Sequence, residues 1–278
     1  MIRLLGSILT TGILAAASYW AWQTQPEIRQ FVSEHFQTGE FLTLEIRYSA
    51  EQIMEREQTK LIKNEEYSYL RPSLQFFPYV LMEVKYVKEN RSTGEGLMLW
   101  GLEDGEMVID TASWSKTHGY QDCILSKADR YDFKIINTLA KNNAALDRES
   151  LLSKLFVESD ILDVWLESAK KKQLIIQDGN DYRLHFQNPR LQKIPETKIT
   201  HRLVSKPFKH SRRNSKKYNI SEIEAVTKIA FGSGFAIRRV REVYLPVHII
   251  EVKNPDGSIH STQWNAITGK PLSDPFRD

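Results

Sequence analysis

Residues 4–22, LLGSILTTGILAAASYWAW, are the only long uncharged apolar run in the chain. As a helix they would span about 28 Å, close to the hydrocarbon thickness of a bilayer. Arg3 and the amino terminus precede the run, and Tyr19, Trp20 and Trp22 close it, where amphipathic rings favour the headgroup zone. The pattern predicts a single-pass membrane anchor within residues 1–25, touching lipid through 4–22. The competing reading is a cleaved signal peptide, with Leu4–Leu14 as its apolar core and Ala15-Ala16-Ala17 as the small residues after it. Hydrophobicity that continues to Trp22 favours the anchor. Arg3 on one side and Arg29 on the other set orientation only weakly, favouring the amino terminus inside and the bulk of the chain outside the cytoplasm.

Beyond the anchor, enough chain remains for two or three small domains with cores of their own. Of the 278 residues, 41% are hydrophobic and 26% charged, which excludes a disordered chain. The formal net charge of +3 names no partner, but its distribution is uneven. Residues 191–217 hold nine lysines and arginines against Glu196 alone, so the remainder is net acidic. Cys123 is the only cysteine, which rules out an intramolecular disulfide and any multi-cysteine metal site.

The expected fold class is α+β: the transmembrane helix, then an α+β domain at 38–125, a winged-helix-like three-helix domain at 127–188, a basic linker at 191–217 and a small helix-plus-antiparallel-sheet domain at 218–272. In the first soluble domain, Phe41–Tyr48 alternates as a half-buried strand, and Ser49 opens a helix to about Ile62. Tyr79–Val87 is strand-like, and Gly96–Leu102 and Met107–Asp110 flank the turn Glu103-Asp104-Gly105. Next comes a helix at Tyr131–Lys141, a second capped by Asp147, and a third capped by Ser159 with Ile161, Leu162, Trp165, Leu166 and Ala169 as its apolar stripe. A ribbon turning at Asp178-Gly179-Asn180-Asp181 follows.

Three helices and a ribbon resemble a winged helix, in shape only. A winged helix that reads DNA presents basic and amide groups on its third helix. Here that helix presents Asp160, Asp163 and Glu167, and only then Lys170, Lys171 and Lys172. Carboxylates facing phosphates oppose the charge neutralisation that supplies non-specific affinity. Asp160, Asp163 and Glu167 are therefore candidate protein-contact residues, and nucleic acid is not the expected partner. In the linker, Lys206, Lys209, Arg212, Arg213, Lys216 and Lys217 are candidates for an anionic partner, against the plainer reading of a solvated joint.

In the last domain, Ser221 and Glu224 fit a capping box, and Gly232 and Gly234 fit a helix end. Strand-like runs follow at Phe235–Val243, Val247–Val252 and Ser258–Trp264, the last two joined by Asn254-Pro255-Asp256-Gly257. The helix with Glu224-Ala225 and Lys228-Ile229-Ala230, the hairpin around Asp256-Gly257-Ser258, and the closing Asn265-Ala266-x-x-Gly269 resemble a PepSY-type domain over 218–272. The resemblance implies a small non-enzymatic module, frequently extracytoplasmic, that binds or restrains other proteins, peptidases among them. The chain departs from that pattern in having one copy and Asn265 where aspartate is usual.

Two constellations bear on catalysis. Glu83-Val84-Lys85 has the E-x-K form of metal-dependent nucleases but no acidic residue on a clear neighbouring strand. His118 and Cys123 lie close in sequence, without a hydrolase signature around them. The seven histidines show no zinc spacing. No catalytic, metal or cofactor residue is assigned. The sequence reading is a membrane-anchored, non-enzymatic binding or assembly protein of the bacterial envelope. Its alternative is a membrane-tethered DNA-binding transcriptional regulator.

Overall fold

The computed structural model describes residues 39–88, 90–142, 145–186, 189–191 and 194–272. It opens with β1 (Glu40–Leu44), α1 (Ala50–Arg56), α2 (Gln58–Leu61), β2 (Ser68–Tyr69) and β3 (Ser73–Val87). Then come β4 (Thr93–Gly101), β5 (Met107–Asp110), β6 (Ser115–Lys116), α3 (Tyr120–Leu125) and α4 (Arg130–Lys141). β7 (Ala145–Asp147), α5 (Arg148–Leu155), α6 (Ser159–Lys171), β8 (Ile175–Asp178) and β9 (Asp181–Leu184) follow. The described chain ends with β10 (Leu203–Pro207), β11 (Arg212–Arg213), α7 (Ile220–Phe231), β12 (Phe235–Lys253) and β13 (Ile259–Asn265).

This is an α+β fold, and it corrects the expected membrane architecture. Among the described residues no helix is long and apolar enough to cross a membrane. The physical reason is visible in α6, where 13 residues carry Asp160, Asp163, Glu167, Lys170 and Lys171. The anchor expected at 4–22 lies outside the described residues. The described fold does not support the expected transmembrane helix or single-pass membrane localisation.

Contacts divide the chain into two compact units, each assembled from distant segments. Among the described residues, one holds 39–77, Leu203–Ser215 and 244–272. In it β1 pairs antiparallel with β10 from Glu40↔Pro207 to Leu44↔Leu203, and meets β12 in parallel at Thr43↔Tyr244. β12 also pairs antiparallel with β13 and with β2. α1 and α2 supply Ile53 and Leu61 to a core with Ile250, Val252 and Trp264. Ser49 caps α1 as expected, through a reciprocal box with Gln52, but the helix breaks at Glu57.

Of the segment expected as a linker, Leu203–Ser215 takes part in this unit. β10 fills a sheet position beside β1, and β11 pairs in parallel with Gln75 and Phe76 of β3. Its composition reads as solvated because both strands are short and none of their side chains is fully buried.

The other unit comprises Pro78–Arg202 and Lys216–Val243. Its centre is the long antiparallel pairing of β3 and β4, from Tyr79↔Gly101 to Val87↔Thr93, extended by β5 and β6. Met82, Met98, Trp100, Ile135, Ile136, Leu139, Leu162 and Ile223 are among the side chains of its core. The three helices and the ribbon expected at 127–188 are present as α4, α5, α6 and β8–β9, with β7 as an additional third strand on β9. Glu158 occupies the N-cap of α6, leaving Ser159 inside the helix.

The expected 218–272 domain is divided between the units. α7 and the start of β12 belong to the second, while the rest of β12 and β13 belong to the first. Two predicted strands are one, because Pro246 is accommodated within β12, where its carbonyl accepts from the Ala266 amide (3.0 Å). The α7 cap is also displaced by two residues: Asn219 and Glu222 form the box, with the Asn219 amide 2.7 Å from Glu222 Oε2.

Burial separates the two sides of α6. Leu162→Ala removes a wholly buried side chain and is expected to cost about 2–5 kcal/mol in urea unfolding. Val164→Ala, on the exposed side, is expected to change stability by less than about 0.5 kcal/mol.

Candidate functional site

The outer face of α6 is the most distinctive surface of the second unit. Leu162, Leu166 and Ala169 face the core. Helical spacing then puts Asp160, Val164, Glu167 and Lys171 on the opposite side, and all four are exposed. Val164 is 67% and Ile161 43% exposed, high values for branched aliphatic side chains on a folded helix. Just ahead of α6, Phe156 is 92% exposed and sits at φ 52°, a left-handed conformation uncommon for a bulky residue.

The three predicted acidic residues share this side of α6 but differ in electrostatic state. Asp163 is gripped by the Arg148 guanidinium at 2.8 and 2.7 Å. That bonding holds the Asp163 carboxyl below its usual range. Arg148 also donates to the Ser159 hydroxyl (2.6 Å), tying the start of α5 to the start of α6. Glu167 pairs with Lys170 at 2.5 Å. Asp160 makes no ion pair among the described residues. At the far end, Lys172 turns inward to Asp129 (2.9 Å) and the buried Asp132 (2.5 Å), leaving Lys171 as the outward-facing cation.

Beside this face lies an aromatic pair that sequence reasoning did not single out. Tyr131 of α4 stacks on Trp165 of α6, with ring centroids 4.5 Å apart. The Arg130 guanidinium lies 4.5 Å from the Tyr131 ring and the Lys134 ammonium 5.1 Å from the Trp165 ring. Trp165 falls on the apolar stripe of α6 and so reads as core in sequence, while Tyr131 reads only as the start of its helix. Trp, Tyr and Arg are the residue types that anchor protein interfaces.

The six basic candidates differ in their surroundings. Lys206 lies in β10 opposite Phe41 and is half-buried. Lys209 and Arg212 are exposed. The Arg213 guanidinium packs 4.3 Å from the Phe208 ring. Lys216 forms an ion pair with Glu242, and Lys217 lies 5.2 Å from the Tyr218 ring. A unit boundary falls between Ser215 and Lys216.

The catalytic constellations do not assemble. Glu83 Oε1 accepts from Arg241 at 2.8 Å, with Arg239 at 3.6 Å, so its charge is spent on a sheet-face ion pair. Cys123 is buried, and burial pushes its thiol pKa up, the reverse of what a nucleophile needs. His118 is exposed and holds Arg190 through backbone bonds. Among the described residues no three His, Cys, Asp or Glu are grouped to hold a metal ion.

A buried polar network at the β4–β6 end of the second unit also escaped sequence reasoning. Glu106 accepts from the Thr117 hydroxyl (2.6 Å) and from the amides of Gly119 (2.9 Å) and Gln121 (3.0 Å). Nearby, the Lys116 ammonium reaches the Tyr79 hydroxyl (2.7 Å) and Asp104 (2.5 Å). Gly119 is required at the turn: φ is +117°, and a Cβ there would come within 2.5 Å of the Phe186 ring. The network holds the turn that starts α3, a structural duty.

Burial raises the Glu106 carboxyl above its usual range, outweighing the hydrogen bonds from Gln121, Thr117 and Gly119. With a folded pKa above the unfolded one, the group's stabilising contribution is complete below the reference value of 4.5 and is lost as pH rises through the folded pKa. Glu106→Gln removes this titration. The stability of the native protein relative to that variant is expected to fall across the window. A difference that stays constant with pH in urea titrations would show that burial does not raise this carboxyl.

No family model, curated protein or solved structure matches the chain.

Proposed function

We propose that the protein is a non-enzymatic protein-contact module that docks a partner segment bearing cationic and apolar groups on the outer face of α6. The observation that carries this reading is the exposure of Val164 and Ile161 on the helix that also presents the carboxylates of Asp160, Asp163 and Glu167. Single exposed aliphatic residues are ordinary. Two on one helix face, next to a Tyr131–Trp165 stack and an exposed Phe156, make a centre that a partner can desolvate. Asp160, which makes no ion pair among the described residues, attracts a cationic group and opposes a phosphate, so the charge that favours a protein partner disfavours a duplex.

The test is amide chemical-shift mapping on the full chain, titrated with a short lysine- and arginine-rich peptide carrying leucines. A charge-matched peptide without leucines is the control. Shifts confined to α6 and its flanks support the reading, provided they weaken with salt and with Asp160→Asn/Glu167→Gln. Val164→Ser is expected to weaken binding by about tenfold, through loss of buried apolar contact. Shifts elsewhere, equal binding of both peptides, or steeply salt-dependent binding of duplex DNA instead would overturn it.

A further inference from the structure

The exposed residues Asp160, Val164, Glu167 and Lys171 are spaced by four, three and four positions, a pattern that reads the same from either end of α6. We propose that the occupant of this face is a second copy of the same helix, laid antiparallel across a two-fold axis. This rests on the reading of α6 as a protein-contact face and names its partner. In that arrangement Asp160 lies opposite the partner's Lys171, and Val164 opposite the partner's Glu167, each pairing occurring twice. A two-fold contact of this kind uses one self-complementary patch and closes on itself.

The electrostatics fit in detail. Asp160 and Lys171 are exposed at opposite ends of α6, and neither makes an ion pair among the described residues. The other charges on this side are already matched within the chain: Asp163 by Arg148, Glu167 by Lys170, and Lys172 by Asp129 and Asp132. The two charges left over are thus the two that an antiparallel copy brings together. With its carboxylate held by Lys170, Glu167 offers its methylene stem to the partner's Val164. Antiparallel placement also sets the positive end of each helix dipole beside the negative end of the other. A helix of 13 residues is about 20 Å long, so the buried area falls short of the roughly 1,200–2,000 Å² of stable complexes. The dimer is therefore weak, reversible and sensitive to salt.

Sedimentation velocity on the full chain, over roughly 1 µM to 1 mM, reads this directly. Asp160→Lys and Lys171→Glu each place like charges across the axis and are expected to weaken association by at least about tenfold. The double variant Asp160→Lys/Lys171→Glu restores opposite charges and is expected to return to within about threefold of the native chain. Because both changes oppose the helix dipole, a second measurement leaves these residues native. Val164→Cys treated with a short bis-maleimide is expected to give a covalent dimer in excess over Asp178→Cys, placed on the ribbon turn. Association unchanged by the single substitutions, or no excess crosslinking at 164, overturns the dimer. A chain that stays monomeric while the leucine-bearing peptide still shifts α6 amides refutes the second copy alone. Loss of both signals refutes the docking face as well.

Discussion

Two strands set the terms for everything else. β3 is buried without interruption from Phe76 to Met82, and β12 from Val243 to Ile250. A strand buried on both faces must be covered from both sides, so neither can be the simple half-exposed strand of an independent hairpin. Each begins in one compact unit and ends in the other. The chain therefore builds its two cores from segments far apart in sequence. The cost is entropic, since long loops must close before these contacts form.

Within that frame α6 shows how little charge is left unassigned. Its inner stripe joins the core through Leu162, Leu166 and Ala169, and most of its ionisable side chains find a partner within the helix or on α4 and α5. Surface ion pairs of this kind contribute little stability individually. Their effect is to decide which charges remain available. After the pairing, the outward face reduces to one carboxylate, one ammonium and two aliphatic side chains, a composition suited to a weak contact between proteins.

The buried polar network around Glu106 serves a different end. A carboxylate that accepts three hydrogen bonds on a turn fixes the start of α3. The neighbouring Lys116–Asp104 pair and the Tyr79 hydroxyl are likewise satisfied by one another. Leaving such groups buried without partners would cost more than their pairing contributes.

Local rules in the sequence determined much of the secondary structure. Ser49, Asp129 and Asp147 cap helices, Gly232 ends one, and Asp178-Gly179 and Asp256-Gly257 turn hairpins, because each of these depends on groups within a few residues. The acidic face of α6 and its buried Leu162, Leu166 and Ala169 were legible for the same reason, a helix sorting its side chains by a fixed period, whereas Ile161, read into that stripe, is exposed. Segments whose partners are distant were not legible. The basic stretch at 203–213 reads as a linker until β1 and β3 supply hydrogen-bonding edges, and Pro246 reads as a strand end until the long strand accommodates it. Nor could composition show that Arg148 takes Asp163, that Lys172 turns inward to Asp132, or that Glu106 is buried, since these pairings join residues 11 to 40 positions apart along the chain. The sequence by itself determined the elements and the charge pattern of the α6 face. The tertiary structure alone decided how the elements pair into two cores and which charges stay free, because those outcomes depend on contacts that form only when distant segments meet.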